Sequence, residues 1–236
     1  MRPLYVETLI RADPASVWHH TQDPAQHARW DLRFTRITPE PGHAACPDSP
    51  AAGTRFRYAT RVLPGLTIAG HGTTVGERRR PDGTGTSALR FASPHPLSPM
   101  RAGSGYWRYV PTAAGLRFLT GYDYTPGLGR AADRIARPLL GWATAWSFDR
   151  LRLWLETGAS PRRLLARALA EAAARTAVTV LAARLTGSLL ATVWVATTCL
   201  LVPPLPGTPA ARRCLRRPPD RHAATAPETL ERLETP

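Results

Sequence analysis

The sequence predicts an α+β fold in which a curved antiparallel β-sheet wraps around a long C-terminal α-helix. Three observations lead to this prediction. Several stretches that alternate apolar and polar residues follow one another at short spacing, with no helical stretch between them, as in an antiparallel meander. At about residue 130 the apolar period changes to that of a helix. After residue 158 an Ala-rich helical extension follows.

Two short capped helices are expected after the first strand. Residues 4–10 are β-like, and Asp13 can cap a helix whose first residue is Pro14. Residues 23–24 repeat the Asp-Pro signal, so a second short helix is expected before the Trp-Asp pair at 30–31. The amino-terminal part therefore predicts a strand followed by two helices.

Five further strands are expected from period-2 alternation. Phe56 and Tyr58 alternate with Arg55 and Arg57, which is typical of a half-buried strand with one face in water. Turn residues at 80–83 and a Pro-rich stretch separate the later strands. The expected strands cover residues of about 54–62, 66–77, 86–92, 102–110 and 116–124.

A long amphipathic helix is expected over residues 130–157, with a wide apolar face. Gly158 stands where a left-handed residue commonly ends a helix, and this places a domain boundary near residue 159. Residues 1–158 are therefore expected to form one ligand-binding domain that folds without the rest of the chain.

The remaining residues are expected to form a helical extension, 159–202, and a disordered Pro-rich and Arg-rich tail, 203–236. Within the extension, residues 185–202 carry no charge. We predict that this segment associates with a membrane, either as a transmembrane helix or in a shallow or re-entrant placement, because its length is near the lower limit of about 17 residues for a span. The alternative is a helical pair that packs on the domain or on a second copy of the chain.

The amino-terminal motifs resemble those of a known superfamily. Residues 12–18, 23–24 and 30–31 are similar to the signature of the START-like or SRPBCC superfamily, which includes polyketide cyclases and lipid-transfer domains. The resemblance covers about the first two thirds of the chain, and its motifs encode helix caps and packing. It implies a helix-grip fold with a cavity under the long helix, and it fixes neither a ligand nor an activity.

Aromatic residues are the candidates for lining such a cavity. Large rings with polar tips on the sheet and on the long helix suit an aromatic or amphipathic ligand. Glycines within the strands, such as Gly70 and Gly72, would leave room for it. The alternative is that the same rings simply fill the core. The candidate cavity residues are Phe56, Tyr58, Phe118, Tyr122, Tyr124, Trp142 and Trp146.

Catalytic chemistry has little support in the sequence. His71 is the most suggestive acid/base candidate, because a histidine between two strand glycines could face the cavity, and the cavity tyrosines are further candidates. The sequence contains no phosphate loop, no nucleophile elbow and no zinc spacing. His19, His20 and His27 do not present a metal-ligand set, so neither a metal nor a cofactor is expected.

Composition limits the classes of partner that the chain is expected to bind. The net charge is +14, yet every basic residue apart from histidine is Arg, which indicates codon bias towards Arg and not a nucleic-acid surface. Three widely spaced cysteines and an amino terminus without a secretory signal predict a cytoplasmic first domain.

The expected function is binding of a hydrophobic small molecule or lipid, at a membrane. The alternatives are a polyketide cyclase or aromatase-like enzyme and a non-catalytic interaction or regulatory protein.

Overall fold

A computed structural model of the chain describes residues 3–40, 54–219 and 225–226. The described residues contain one seven-stranded sheet, in which every neighbouring pair of strands is antiparallel. The predicted α+β class and the antiparallel order are therefore confirmed. The strands are β1 (Leu4–Ile10), β2 (Arg36–Pro39), β3 (Arg55–Leu63), β4 (Leu66–Arg79), β5 (Gly85–Ala92), β6 (Met100–Thr112) and β7 (Gly115–Pro126). Their order in the sheet is β1-β7-β6-β5-β4-β3-β2.

Capping residues determine where the helices begin. The Asp13 carboxylate accepts a hydrogen bond from the backbone N–H of Ser16 at 2.9 Å, and Asp23 caps the second helix in the same way. At the end of the long helix, Gly158 has a φ of 70°, a left-handed conformation that favours glycine. The helices are α1 (Pro14–Gln22), α2 (Pro24–Trp30), α3 (Gly129–Thr157), α4 (Pro161–Thr186) and α5 (Leu189–Leu201).

The core lies between the concave face of the sheet and α3. Phe118 on β7 stacks on Phe148 of α3 with ring centres 4.6 Å apart, and Trp30 of α2 packs beside them. Val6 and Ile10 of β1 are fully buried in the same cluster. A curved antiparallel sheet that closes around one long helix is consistent with the helix-grip fold.

The uncharged segment 185–202 is not one continuous helix. Helix α4 ends at Thr186, Gly187 adopts a φ of 61°, and the Ser188 side chain caps α5. Within the described ranges, no helix has both the length and the apolar character needed to cross a membrane. The expected transmembrane helix is thus corrected to two helices that meet at Gly187 and Ser188, because these two residues act as a C-cap and an N-cap.

Part of the expected disordered tail makes specific contacts with the rest of the chain. Leu215 exchanges two backbone hydrogen bonds of 2.9 Å with Glu7 at the free edge of β1. Cys214 is buried in the main core, and the Asp149 carboxylate accepts hydrogen bonds from the Ala210 backbone and from Arg213. Backbone pairing, polar contacts to Asp149 and burial of Cys214 together hold this segment in place. Residues 220–224 and 227–236 of the expected tail lie outside the described residues.

The contacts of the segment around Cys214 cross the expected domain boundary at residue 158. The segment around Cys214 contributes side chains to the core of residues 1–158, and Leu164 of α4 is fully buried as well. The core of the first domain therefore includes residues that follow the boundary.

Candidate functional site

The concave face of the sheet encloses two adjoining hollows beside α2. One, the apolar lobe, has a volume of about 80 Å³, and the other, the polar lobe, has a volume of about 290 Å³. Phe34, Tyr58, Phe91, Met100 and Tyr122 line the apolar lobe only, and Thr21, Gln22, Thr74, Glu77 and Ser87 line the polar lobe only. Five residues line both: His27, Ile37, Phe56, Leu89 and Trp107.

Glycines on β4 shape the floor of the apolar lobe. Phe56 faces Gly72 across the β3–β4 pair, and Tyr58 faces Gly70. A Cβ atom on Gly72 would lie 2.1 Å from the Phe56 ring, and one on Gly70 would lie 2.4 Å from the Tyr58 ring. The two rings therefore lie over the glycine backbone and occupy part of the room that the glycines leave. Burial raises the pKa of Tyr58 to about 12.

A buried charged network forms one wall of the apolar lobe. The Asp31 carboxylate accepts hydrogen bonds from Nε and Nη2 of Arg33, at 3.0 and 2.7 Å. Its Oδ2 atom, which accepts from Nη2 of Arg33, also lies 3.0 Å from Nε2 of His27, one helical turn earlier. Asp31 is almost completely buried, and His27 and Arg33 reach the lobe. We call these three residues the Asp31 network.

The pKa values in this network move in different directions. Burial alone would raise the pKa of Asp31, but the charge of Arg33 and the hydrogen bonds from His27 and Arg33 hold it well below its usual range. Burial lowers the pKa of His27 more than Asp31 raises it, so the imidazole is neutral near pH 7. The network thus contains one carboxylate, one guanidinium and one neutral imidazole.

Arg33 is placed to meet a ligand oxygen. Its guanidinium carbon lies 5.7 Å from the centre of the Tyr122 ring, which lines the same lobe. A guanidinium has five N–H donors, and a surrounding apolar wall strengthens any hydrogen bond that it donates. The arrangement can therefore bind a carboxylate or carbonyl oxygen at the end of an apolar molecule.

A β-bulge directs Glu77 towards the polar lobe. The β4–β5 register shifts between Thr74 and Gly76, and Glu77 then pairs with Ser87, whose side chain faces the concave side. The carboxylate stays accessible to solvent at the mouth of the lobe, and desolvation by its neighbours raises its pKa. Such a group can exchange protons with a molecule in the lobe.

The structure brings only some of the expected cavity residues together. Phe56, Tyr58 and Tyr122 line the apolar lobe. Phe118 is completely buried in the core against Phe148, and it lines neither lobe. Tyr124 donates a hydrogen bond of 2.6 Å to the buried Asp133, which ties β7 to α3. Phe118 and Tyr124 are packing and anchoring residues in this fold.

Trp142 and Trp146 do not close the cavity, contrary to the expectation from the sequence. They line a different groove, on the side of α3 that faces α4, the end of α5 and residues 204–212. Helix α3 is apolar on two sides because it contacts the sheet with one side and the C-terminal extension with another. The helical pattern marks the apolar residues of both sides together, so it cannot show which side a given tryptophan ring belongs to.

His71 lies outside the cavity. Its flanking glycines face the concave side, so strand alternation turns His71 to the convex side, where 54% of its side chain is exposed. There it lies 3.5 Å from the Glu40 carboxylate. The residues that sequence reasoning missed are His27, Arg33 and Glu77. For His27 the sequence did contain a signal, because His27 and Asp31 are four residues apart at a helix end and can therefore contact each other.

Comparisons with known proteins identify one curated relative. No family model matches the chain. The chain is 44% identical over 173 residues to the uncharacterized membrane protein YndG of Bacillus subtilis strain 168, a match that covers 71% of this chain and 62% of that protein. The chain thus spans less than two thirds of its relative's length.

Solved structures show a more distant similarity. The di-domain ARO/CYC protein StfQ from the steffimycin biosynthetic pathway is 14% identical, with 65% of this chain and 50% of that chain covered, at a TM-score of 0.49. Ara h 8.0201 is 12% identical, with 66% and 98% covered, also at 0.49. The protein TTHA0849 from Thermus thermophilus is 18% identical, with 70% and 97% covered, at 0.43. Since these scores are below 0.5, the fold assignment rests on the strand order and on the packing of α3.

Proposed function

We propose that this chain binds a hydrophobic small molecule or lipid that carries one carboxylate or carbonyl oxygen, in the cavity on the concave face. The observation that carries the proposal is the Asp31 network in the wall of an apolar lobe. Burying a charged pair costs free energy that an apolar replacement would not. Its presence beside a hollow is therefore explained by recognition of a polar group on an otherwise apolar ligand.

The cavity size limits the ligand and its placement. Ligand sites commonly have volumes of about 300 to 1,000 Å³, and the apolar lobe alone, at about 80 Å³, is smaller than that. The polar lobe adjoins it, and Phe56 lines both. A ligand that fills both lobes would place its oxygen at Arg33 and its far end near Glu77, with the Phe56 ring displaced between them.

A bulky residue at Leu89 tests this placement. Leu89→Trp adds volume at the junction of the two lobes, and we expect it to weaken binding of the fluorescent fatty acid cis-parinaric acid at least about tenfold, or 1.4 kcal/mol. Fluorescence titration measures the affinity, and urea denaturation measures the stability cost, which overpacking sets at about 1 to 3 kcal/mol. Leu97→Trp is the matched control, because Leu97 is exposed on the β5–β6 loop. Equal affinities of the two variants would contradict the proposal.

An acid/base role is the second candidate, and Glu77 is the observation that favours it. A polyketide cyclase or aromatase-like enzyme needs a group that removes a proton next to a carbonyl, and an accessible carboxylate of raised pKa at a cavity mouth fits that role. We expect the full chain to accelerate exchange of the α-protons of 4-phenylbutan-2-one for deuterium, as followed by NMR, and Glu77→Gln to abolish the acceleration. Acceleration that survives in Glu77→Gln would exclude Glu77 as the base.

Membrane contact through residues 185–202 is part of the same proposal. Along α5 one face carries exposed apolar side chains from end to end, and its opposite face packs on α4. We call the exposed face the α5 stripe: Leu189, Leu190, Val193, Trp194, Leu200 and Leu201. An apolar stripe with a tryptophan suits the interfacial region of a bilayer, and the relative in Bacillus subtilis is named a membrane protein.

Polar substitutions on the α5 stripe test the membrane contact. We expect the full-length protein to sediment with membranes and to resist a carbonate wash, and we expect Leu190→Gln/Trp194→Gln/Leu201→Gln to move it to the supernatant. The mechanism is the loss of about 25 cal/mol for each Å² of apolar surface that the bilayer covers. The control variant Val62→Gln/Leu63→Gln changes exposed apolar residues at the β3–β4 turn. Full-length protein that remains in the supernatant would refute the contact.

A further inference from the structure

A second concavity lies beside α3, outside the cavity on the concave face of the sheet. Its volume is about 620 Å³, and it is open to solvent between α3, α4 and the end of α5. Trp142 and Trp146 stack with ring centres 6.5 Å apart, and Ala168, Ala172, Leu200 and Val202 belong to the apolar lining. We call this concavity the Trp groove. Trp146 is 7% exposed, whereas Trp142 is 46% exposed.

Positive charge surrounds the Trp groove. Arg175, Arg212 and Arg216 line it, and Glu171 is its single acidic lining residue among those that the structure describes. Glu171 is already engaged, since it pairs with Arg175 and accepts the Leu205 backbone N–H. The groove therefore combines an apolar floor with uncompensated positive charge at the rim.

Arg212 and Arg216 keep donors for a ligand. Arg212 donates to the carbonyl oxygens of Leu201 and Val202, at 3.3 and 2.9 Å, and thereby caps the end of α5. Arg216 donates to the Pro138 carbonyl oxygen at 3.2 Å. Both side chains belong to exposed residues, and a guanidinium has five donors. These contacts hold the two guanidinium groups at the rim and leave N–H groups for an anion.

We propose that the Trp groove binds an anionic phospholipid, with the headgroup phosphate at Arg212 and Arg216 and an acyl chain on Trp142 and Leu200. Leu200 belongs both to the groove and to the α5 stripe, so an acyl chain passes from the bilayer into the groove along a continuous apolar surface. Charge complementarity selects an anionic headgroup over a zwitterionic one. This inference rests on the proposed membrane contact of the α5 stripe, and it is separate from the cavity on the concave face.

Vesicle binding by the full chain tests the charge requirement. Vesicles of phosphatidylcholine are compared with vesicles that contain one third phosphatidylglycerol, and binding is measured by flotation. Each arginine near an anionic surface contributes about fivefold to binding, so Arg212→Gln/Arg216→Gln is expected to weaken binding to the anionic vesicles about 25-fold. Arg55→Gln/Arg61→Gln removes the same charge from exposed residues of β3 and is the matched control. Equal losses in the two variants would overturn the site, since charge alone would then explain binding.

Quenching by brominated acyl chains tests occupancy of the groove separately from membrane contact. Trp142 and Trp194 are the most exposed of the tryptophans, at 46% and 68%. If Trp194→Phe reduces the quenching seen with the wild-type protein, Trp194 contacts acyl chains and the α5 stripe lies in the bilayer. If Trp142→Phe reduces the quenching, an acyl chain lies in the groove. We expect both reductions. A Trp194→Phe protein that is quenched as strongly as wild type would contradict the membrane contact. A Trp142→Phe protein that is quenched as strongly as wild type would contradict the groove site but not the membrane contact.

A second copy of the chain is the competing occupant of the groove. Light scattering on the lipid-free protein distinguishes it, because a lipid site predicts a mass that Trp142→Phe does not change. A dimer that Trp142→Phe dissociates would overturn the phospholipid proposal.

Discussion

Replacing Asp31 with Asn is expected to lower the free energy of unfolding by about 3 to 5 kcal/mol, measured by urea denaturation at pH 7. Asn has the shape of Asp but no charge, so Arg33 keeps its place beside the apolar lobe without a counter-charge. Breaking a buried pair leaves the remaining charge uncompensated, which is why removal of one partner costs more than the pair contributes.

The double variant Asp31→Asn/Arg33→Met provides the control. It removes both charges, so it should be more stable than Asp31→Asn alone, although it lacks more of the native contacts. A single variant that loses less than about 1 kcal/mol, or a double variant that is less stable than the single one, would contradict the assignment of Asp31 as the counter-charge of Arg33.

The same network makes stability depend on pH. The pKa of Asp31 is lower in the folded chain than in the unfolded chain, so its contribution is complete above the unfolded value of about 3.9 and is lost as the pH falls through the folded value. The pKa of His27 is also lowered by folding, so its contribution begins to decline below about pH 6.5. Both groups therefore destabilise the fold in acid, and Asp31→Asn should show a weaker pH dependence below pH 4 than the wild-type protein.

Local signals in the sequence were sufficient for most of the fold. The Asp-Pro pairs at 13–14 and 23–24 cap helices because a carboxylate accepts backbone N–H groups that a helix start leaves free, and this needs no tertiary context. Strand alternation on β3 to β7 likewise follows from one face meeting the core. The strand β2 was missed because its four residues, of which Ile37 and Pro39 line the polar lobe, carry too little pattern.

The candidate site was harder to predict because its residues depend on long-range geometry. Glu77 reaches the polar lobe only through a register shift on β4, and a bulge is invisible to strict alternation. Arg33 follows α2 in a short connection without periodicity, and its role appears only when the fold brings Tyr122 of β7 beside it in the same lobe. His71 shows the converse error, since the glycines on either side of it mark the cavity face and thereby exclude His71 from it.

Helix α3 offers the sharpest comparison between core and groove, through Trp146 and Trp142. Trp146 packs in the main core, and its ring lies 5.5 Å from the Arg150 guanidinium carbon, whereas Trp142 one turn earlier is about half exposed. Truncation of a large buried aromatic residue costs about 3 to 5 kcal/mol. We therefore expect Trp146→Ala to lose that much stability in urea denaturation, and Trp142→Ala to lose about 1 kcal/mol or less.

Ligand binding provides the second readout for this pair. Both rings lie outside the cavity on the concave face, so the part of cis-parinaric acid binding that Leu89→Trp removes should have the same affinity in the folded fraction of wild type and of Trp142→Ala. If the rings closed the cavity, as the helical pattern alone suggested, each truncation would weaken binding of the probe and change the stability of the fold little. A Trp142→Ala protein of wild-type stability that lacks the part of cis-parinaric acid binding that Leu89→Trp removes would place this face of α3 at the cavity and reverse the assignment of the two sides of the helix.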